Sequence, residues 1–420
     1  MNFRHSLAAL AILTAMLTAA NWAGAETWER FRGPHGDGVA RNQNLPAQLD
    51  AKKNLVWKAA IPGLGNSSPI VWNDQVFLQS AAADGSERSL LCLDAKTGKT
   101  VWEHKTPGKK ANTHKKNTLA SATPTTDGSG VYVATWDGKD VIVAAYTMKG
   151  QPMWEKNLGE FKSQHGPGAS PVVYKDKLFY AFDMDGKAVM YAFDKLTGKS
   201  AWTQPRVAHR ACYTIPRIIE KGPNGPELLV ISTTAITSYN PDTGSRNWDW
   251  KWTFGGPKAE PLRTIGETIH MGDKLFAFSG TDSSRLTVGL DLPSAQGAAP
   301  VQVWDNKKDF PYVPSPIGYD GHIYFVNDRG FAGCFEPKAG KQVFLQRIPD
   351  ATFTSSPVII DGKLYAGSEE GDLIVIKADP KFEILATTKI GERIRATPAA
   401  ADGRLYVRGE NHLFCFGKKD

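Results

Sequence analysis

Three segments of this 420-residue chain concentrate groups that bind charge or exchange protons. The first holds Lys105, Lys109, Lys110, His114, Lys115 and Lys116, followed by Asn117. The second is Gln164-His165-Gly166, and the third carries Lys251, Lys258, Arg263 and Glu267. His209, Arg210 and Tyr213 form a fourth group, and Arg393 and Arg395 a fifth. Guanidinium and ammonium groups bind carboxylate or phosphate oxygens, and imidazole adds a donor whose charge changes near neutral pH. If these groups share one surface, they form a basic rim suited to an anionic ligand or to the acidic surface of a partner. Read singly they are weaker signals. A lysine-rich loop is usually a solvated loop, and a histidine bonded to a neighbouring carbonyl explains His114 or His165 as well as ligand binding does.

The elements that must position these groups are set by a repeat. A small residue and an anchor, usually proline, open an apolar run at Pro69, Pro124, Pro171, Pro216, Thr268, Pro316, Pro357 and Pro398, spaced 41 to 55 residues apart. Each unit reads as four strands, and a strand-only period of this length predicts an all-β, eight-bladed β-propeller. The seventh unit is the clearest: strands over 355–360, 363–367 and 372–377, with a fourth carrying Glu383-Ile384-Leu385. A proline opening the first strand loses no ladder bond and blunts the edge that lines the channel. The turn between strands three and four recurs as Asp94-Ala95-Lys96-Thr97-Gly98, Asp194 to Gly198, Asn240 to Gly244 and Glu336 to Gly340. Strand four then brings Trp57, Trp102, Trp154, Trp202, Trp248, Trp304, Phe344 or Leu385, an inter-blade packing layer. Trp57 precedes the first anchor, and the last unit ends at Cys415-Phe416, so an N-terminal strand is expected to complete the eighth blade.

On this register the strand-four-to-strand-one loops ring one mouth of the channel. Most run 12 to 14 residues from the strand-four landmark to the next anchor, but those from Trp102, Trp154 and Trp248 run 22, 17 and 20. These three carry the chemistry described above, in the connections where binding groups gather. Arg217 is a further irregularity: it follows Pro216 at a position that is Ile70, Val172, Ile317, Val358 or Ala399 in other units, so its charge is either paired or open to the channel. The ligand-binding candidates are therefore His114, Asn117, His165, Arg210, Tyr213, Arg217, Arg263, Glu267 and Arg395. No catalytic or metal-binding residue is assigned. No H-E-x-x-H, G-x-S-x-G or glycine-rich phosphate motif occurs, and Asp183-Met184-Asp185-Gly186 lacks the rest of a calcium loop and reads as a turn.

The remaining features bound the setting. Residues 1–25 read as a secretory signal, with an apolar run from Leu7 to Ala20 and cleavage expected after Ala25, so a periplasmic or secreted protein without a membrane anchor is expected. The expected division is 1–25 signal, 26–54 N-terminal extension and 55–420 propeller. The net charge of +7 is mild, and no nucleic-acid-binding signature accompanies it. Cys92, Cys334 and Cys415 occupy equivalent points of three blades, too far apart for disulfides, and read with Cys212 as unpaired. A monomer is expected.

The Leu91-Cys92-Leu93-Asp94-Ala95-Lys96-Thr97-Gly98-Lys99 segment with Trp102, and Gly362 to Gly367, resemble the pyrroloquinoline-quinone (PQQ) repeat. Trp28 to Gly38 resembles a segment preceding exported PQQ-like propellers of planctomycete type. The repeat resemblance covers nearly all of the mature chain and implies the fold more strongly than an activity. One set of such proteins, the quinoprotein alcohol dehydrogenases, implies PQQ beside a bound calcium ion, a carboxylate base and an adjacent cysteine pair; this chain has no adjacent cysteines and no C-x-x-C-H haem motif. Another, the BamB-type scaffold, implies a protein partner and no cofactor. The expected function is thus a non-catalytic binding or scaffold module without cofactor, taking a protein or a small anionic ligand at the mouth. The alternative is a PQQ- and calcium-dependent alcohol or sugar dehydrogenase.

Overall fold

The computed structural model describes residues 27–50, 52–252, 263–281 and 284–418. The described residues form strands and turns with no helix, and therefore no helix long and apolar enough to cross a membrane. Eight sheets form the blades of a propeller. Blade 1 comprises Ile70–Trp72, Gln75–Ala81, Glu87–Asp94 and Thr100–Pro107, each antiparallel to the next. The first strands are innermost and surround a central channel. Of the Asp183-Met184-Asp185-Gly186 segment expected as a turn, Asp185 and Gly186 form the turn between Lys177–Met184 and Lys187–Asp194. All four cysteines are buried and unpaired.

The ring closes as the strand count requires. Blade 8 consists of Ala399–Ala401, Arg404–Arg408 and His412–Gly417, and its outermost strand is Leu55–Ala60, antiparallel to His412–Gly417 with Lys58 opposite Phe414. The seam to blade 1 is well bonded. Arg408, 1% exposed, donates from Nη1 to the carbonyls of Ser67 and Gln79, at 2.7 and 2.8 Å. Burial pushes its pKa down to about 9.

In blade 7 the second and third strands, Lys363–Gly367 and Asp372–Lys377, match the expected bounds. The first is shorter, Val358–Ile360 rather than 355–360. Pro357 has no N–H for a ladder, Ser356 N donates to Thr397 of the next blade, and Ser355 Oγ donates to the Gly367 carbonyl. The hairpin joining strands one and two turns on Asp361 and Gly362, both with positive φ (48° and 75°), as a two-residue type I′ turn demands.

The Thr-Gly turn and the strand-four tryptophan form one device. Trp57 donates its indole N–H to the carbonyl of Ala95 in the next blade's turn, Trp102 to Met148, Trp154 to Lys195, Trp202 to Pro241 and Trp304 to Pro337, at 2.8–3.1 Å. The turn glycine lies flat on that indole. A Cβ at Gly198 would sit 2.5 Å from Cδ2 of Trp154, and φ there is +67°, so sterics and backbone both require glycine. Blade 5 lacks the Thr-Gly turn, and Trp248 of blade 4 donates instead to Glu227 of its own blade.

The N-terminal extension has a role the sequence did not reveal: it fills the channel. Trp28 bridges to Val71 of blade 1, and Thr126 N of blade 2 donates to the Glu29 carbonyl. Arg32 donates to the Pro316 carbonyl of blade 6, and Val39–Ala40 pairs in parallel with Val358–Ile360 of blade 7. The inner edge of blade 7 is thus covered by a fifth strand as well as blunted by proline. The chain then leaves along blades 7 and 8, where Gln43 accepts from Gly403 N and the Leu49 carbonyl accepts from Thr388 Oγ1, and enters strand Leu55–Ala60.

Three variants test this architecture. Gly198→Ala should cost about 3 kcal/mol in chemical denaturation, combining a disfavoured φ with overpacking against Trp154. Gly297→Ala, whose Cβ would meet nothing within 4 Å at φ +74°, should cost only about 1 kcal/mol. Deletion of residues 26–58 removes both the channel filling and the closing strand, and should lower Tm by more than 10 °C, on the order of several kcal/mol. An unchanged Tm would refute the closure.

Candidate functional site

Eight of the nine candidates, His114, Asn117, His165, Arg210, Tyr213, Arg263, Glu267 and Arg395, line one cavity of about 320 Å³ at a channel mouth. Its floor includes Phe31 from the N-terminal extension. Lys116 also reaches it, whereas Lys105 pairs with Glu87 at 2.8 Å on the neighbouring outer strands, and Lys258 lies outside the described residues. Arg217 is the exception. It is 9% exposed and turned into the channel filling, where its guanidinium donates to the carbonyls of Gly36 and His35 at 2.9 and 3.5 Å. Its hydrogen-bond partners are thus neutral carbonyls of the filling and not a carboxylate.

The long loops hold one another. Asn117 Nδ2 donates to the carbonyls of His165 and Pro167 at 2.7 and 3.1 Å, so this amide ties the first loop to the second. The His114 and His165 rings lie 4.7 Å apart. Arg263 Nη2 donates to Gln164 Oε1 at 3.4 Å, Tyr213 N to the Thr264 carbonyl at 2.9 Å, and the Tyr213 and Ser163 hydroxyls are 3.2 Å apart. Burial lowers the His165 pKa below the usual imidazole value, and the charges of Arg263 and His114 lower it further. Arg263 is 3% exposed, and its Nη1 has no hydrogen-bond partner among the described residues.

The opposite wall is compensated, which changes the reading of the rim as uniformly basic. Arg395 donates from Nε and Nη2 to Glu369 Oε2 at 3.2 and 2.9 Å. Lys116 lies 3.4 Å from Asp328 and 3.9 Å from Glu369. Asp328 is itself fixed by Tyr312 N at 2.7 Å. Arg395 and Lys116 therefore carry their own carboxylate partners, whereas no ion pair of Arg263 occurs among the described residues.

Glu267, 6% exposed, stands between the cavity and the channel filling. Burial pushes its carboxyl above 4.5, against the fields of Arg32, Arg217 and Arg30, which lower it. Its Oε1 has no hydrogen-bond partner among the described residues.

One feature of the site was missed at the level of sequence. The residue before each anchor forms the cavity base: Ser68, Thr123, Ser170, Ile215, Glu267, Ser315, Ser356 and Thr397 all line it. They are joined blade to blade by amide-to-hydroxyl bonds. Glu267 N donates to Ser315, Ser315 N to Ser356, Ser356 N to Thr397, Thr397 N to Ser68, Ser68 N to Thr123 and Thr123 N to Ser170, at 2.8–3.1 Å. The arc crosses the closing seam and is interrupted at Ile215. The signal was present, since six of the eight pre-anchor residues are Ser or Thr, but a small residue before proline is also ordinary turn chemistry.

Burial works against ionisation of Glu369, yet hydrogen bonds from Thr354 and Arg395 and the charges of Arg395 and Lys116 outweigh it and hold its pKa below 4.5. Its stabilising effect is complete above pH 4.5 and is lost as pH falls through the lowered folded value. Glu369→Gln should lower Tm at pH 7, and the gap to wild type should narrow below pH 4; a pH-independent gap would show that the charge does not matter.

Comparison with known proteins agrees with this architecture. The chain is 25% identical over 221 residues to a quinoprotein ethanol dehydrogenase of Pseudomonas putida, covering 46% of this chain and 34% of that protein. The chain thus spans about a third of the length of this curated relative. Among solved structures it resembles BamB from Moraxella catarrhalis, with a TM-score of 0.63 and 13% identity, covering 86% of this chain and 99% of that one. It also resembles the quinohemoprotein alcohol dehydrogenase of Comamonas testosteroni, with a TM-score of 0.63 and 12% identity, covering 93% and 80%. Identities this low speak for the fold alone. The family model described as outer membrane protein assembly factor BamB matches residues 39–122 and 113–346, and with the eight four-stranded blades and their Trp-on-Gly turns this places the chain in the PQQ-like β-propeller family.

Proposed function

We propose that this protein is an exported, non-catalytic propeller that binds a small anionic ligand in the mouth cavity. The observation that carries this reading is Arg263: a guanidinium 3% exposed, in the cavity wall, with an Nη1 that no described residue satisfies. A buried cation with spare donors is costly unless an acceptor arrives. His165 and Arg210 line the cavity on the same side. Export rests on the signal-like residues 1–25, which lie outside the described residues. The family model's description as an assembly factor supports a binding role over a catalytic one.

The dehydrogenase reading would require PQQ beside a calcium ion and a carboxylate base. Glu267 is the carboxylate in the cavity wall, and it lies in the fields of Arg32, Arg217 and Arg30. Three guanidinium charges around the one carboxylate repel a divalent cation. Among the described residues no group of three His, Cys, Asp or Glu side chains is gathered to hold a metal. The residues do not fit metal-assisted quinone chemistry, and we derive no catalytic step.

Isothermal titration of the mature protein at low ionic strength with acetate, phosphate, citrate and glucuronate, and with glucose as the neutral control, tests the reading. At least one anion should bind, and Arg263→Gln should weaken it about tenfold or more, the order expected for a charge-assisted contact. Binding of none, or an affinity indifferent to Arg263→Gln, would overturn it.

A further inference from the structure

We propose that the ligand of this cavity is a polycarboxylate, recognised by an arc of hydroxyl protons at the cavity base as well as by Arg263. The inference rests on the anion-binding reading above and specifies its ligand. Each hydroxyl of Ser68, Thr123, Ser170, Ser315, Ser356 and Thr397 accepts one amide N–H from the preceding blade. A hydroxyl carries one proton to donate besides the lone pairs that accept. None of these six protons has a protein acceptor among the described residues, although the six side chains are at least nine-tenths buried. All six line the cavity. The amide bonds hold the oxygens in place and leave the protons to whatever occupies the mouth, so the base of the cavity is a curved row of donors.

The shape of that row selects the ligand. It extends over blades 6, 7, 8, 1, 2 and 3, with the gap at Ile215 of blade 4 lying on the same side as Arg210, Tyr213 and Arg263. A single tetrahedral oxyanion reaches one sector of such an arc. A molecule with several carboxylates reaches the arc with one group and Arg263 with another. A neutral polyol accepts from the row but brings no negative charge to Arg263. An ammonium group would meet the field of Arg263 from the wall and of Arg30, Arg32 and Arg217 from below. The cavity volume of about 320 Å³ lies at the small end of small-molecule sites, which suits a ligand larger than phosphate.

The test titrates citrate, phosphate and acetate into wild type and into Thr397→Val, Thr397→Ser and Ile215→Thr. Citrate should bind at least tenfold more tightly than phosphate or acetate. Thr397→Val, which removes one proton, should weaken citrate three- to tenfold, and Thr397→Ser should restore it. Ile215→Thr, which adds a hydroxyl in the gap, should tighten citrate about threefold, and it keeps the idea testable if Thr397→Val fails to fold. Equal affinity for citrate and phosphate would overturn the polycarboxylate while leaving the anion site standing. Citrate binding indifferent to both Thr397→Val and Ile215→Thr would overturn the hydroxyl arc. No binding of any anion would instead remove the anion-binding reading itself.

Discussion

The pairing of Leu55–Ala60 with His412–Gly417 is the contact on which the rest of the molecule depends. An eight-bladed ring built from one chain has two free edges until one strand crosses the gap, and burying that edge removes a row of unpaired amides. Closure by an N-terminal strand has a second effect. The residues just before it must pass the seam, and here they run back along blades 7 and 8 and into the channel. Segment 28–40 therefore serves as filling for a channel whose inner strands would otherwise present bare edges, and Phe31 at its upper end becomes the floor of the mouth cavity.

Around this closure the blades are held by two repeated devices at different radii. At the outer face, an indole from one blade docks on the turn glycine of the next and donates to a turn carbonyl. At the inner face, an amide donates to the hydroxyl of the neighbouring pre-anchor residue. Both link adjacent blades only, so each interface is stabilised locally. Both fail near blades 4 and 5: Trp248 turns to Glu227, and Ile215 supplies no hydroxyl. Arg263, whose Nη1 has no partner among the described residues, lies beside that same interval.

Charge pairing divides the mouth more sharply than composition suggested. Arg395 and Lys116 look like members of a basic rim in a linear reading, yet Glu369 and Asp328 neutralise them. Arg217, read from the sequence as either paired or open to the channel, donates to the carbonyls of His35 and Gly36 in the channel filling. Glu267 lies in the fields of Arg32, Arg217 and Arg30 beneath the cavity, and its burial outweighs them.

The chain's periodicity by itself determined the number of blades, the strand order within each, the closing strand and the mouth on which the long loops gather. These follow from local rules: alternation, turn glycines and a tryptophan recurring at one position, all spelled out within some forty to fifty residues. Eight of nine candidates fall in one cavity because propeller geometry sends every strand-four-to-strand-one loop to one face. Only the tertiary structure decided what each charge does there. The partners of Arg395, Lys116 and Arg217 lie 26, 212 and 181 residues away in sequence, and no local pattern encodes such pairs. The same holds for the hydroxyl arc. Its serines and threonines are unremarkable one by one, and become a row of donors only when closure sets Thr397 beside Ser68, 329 residues apart.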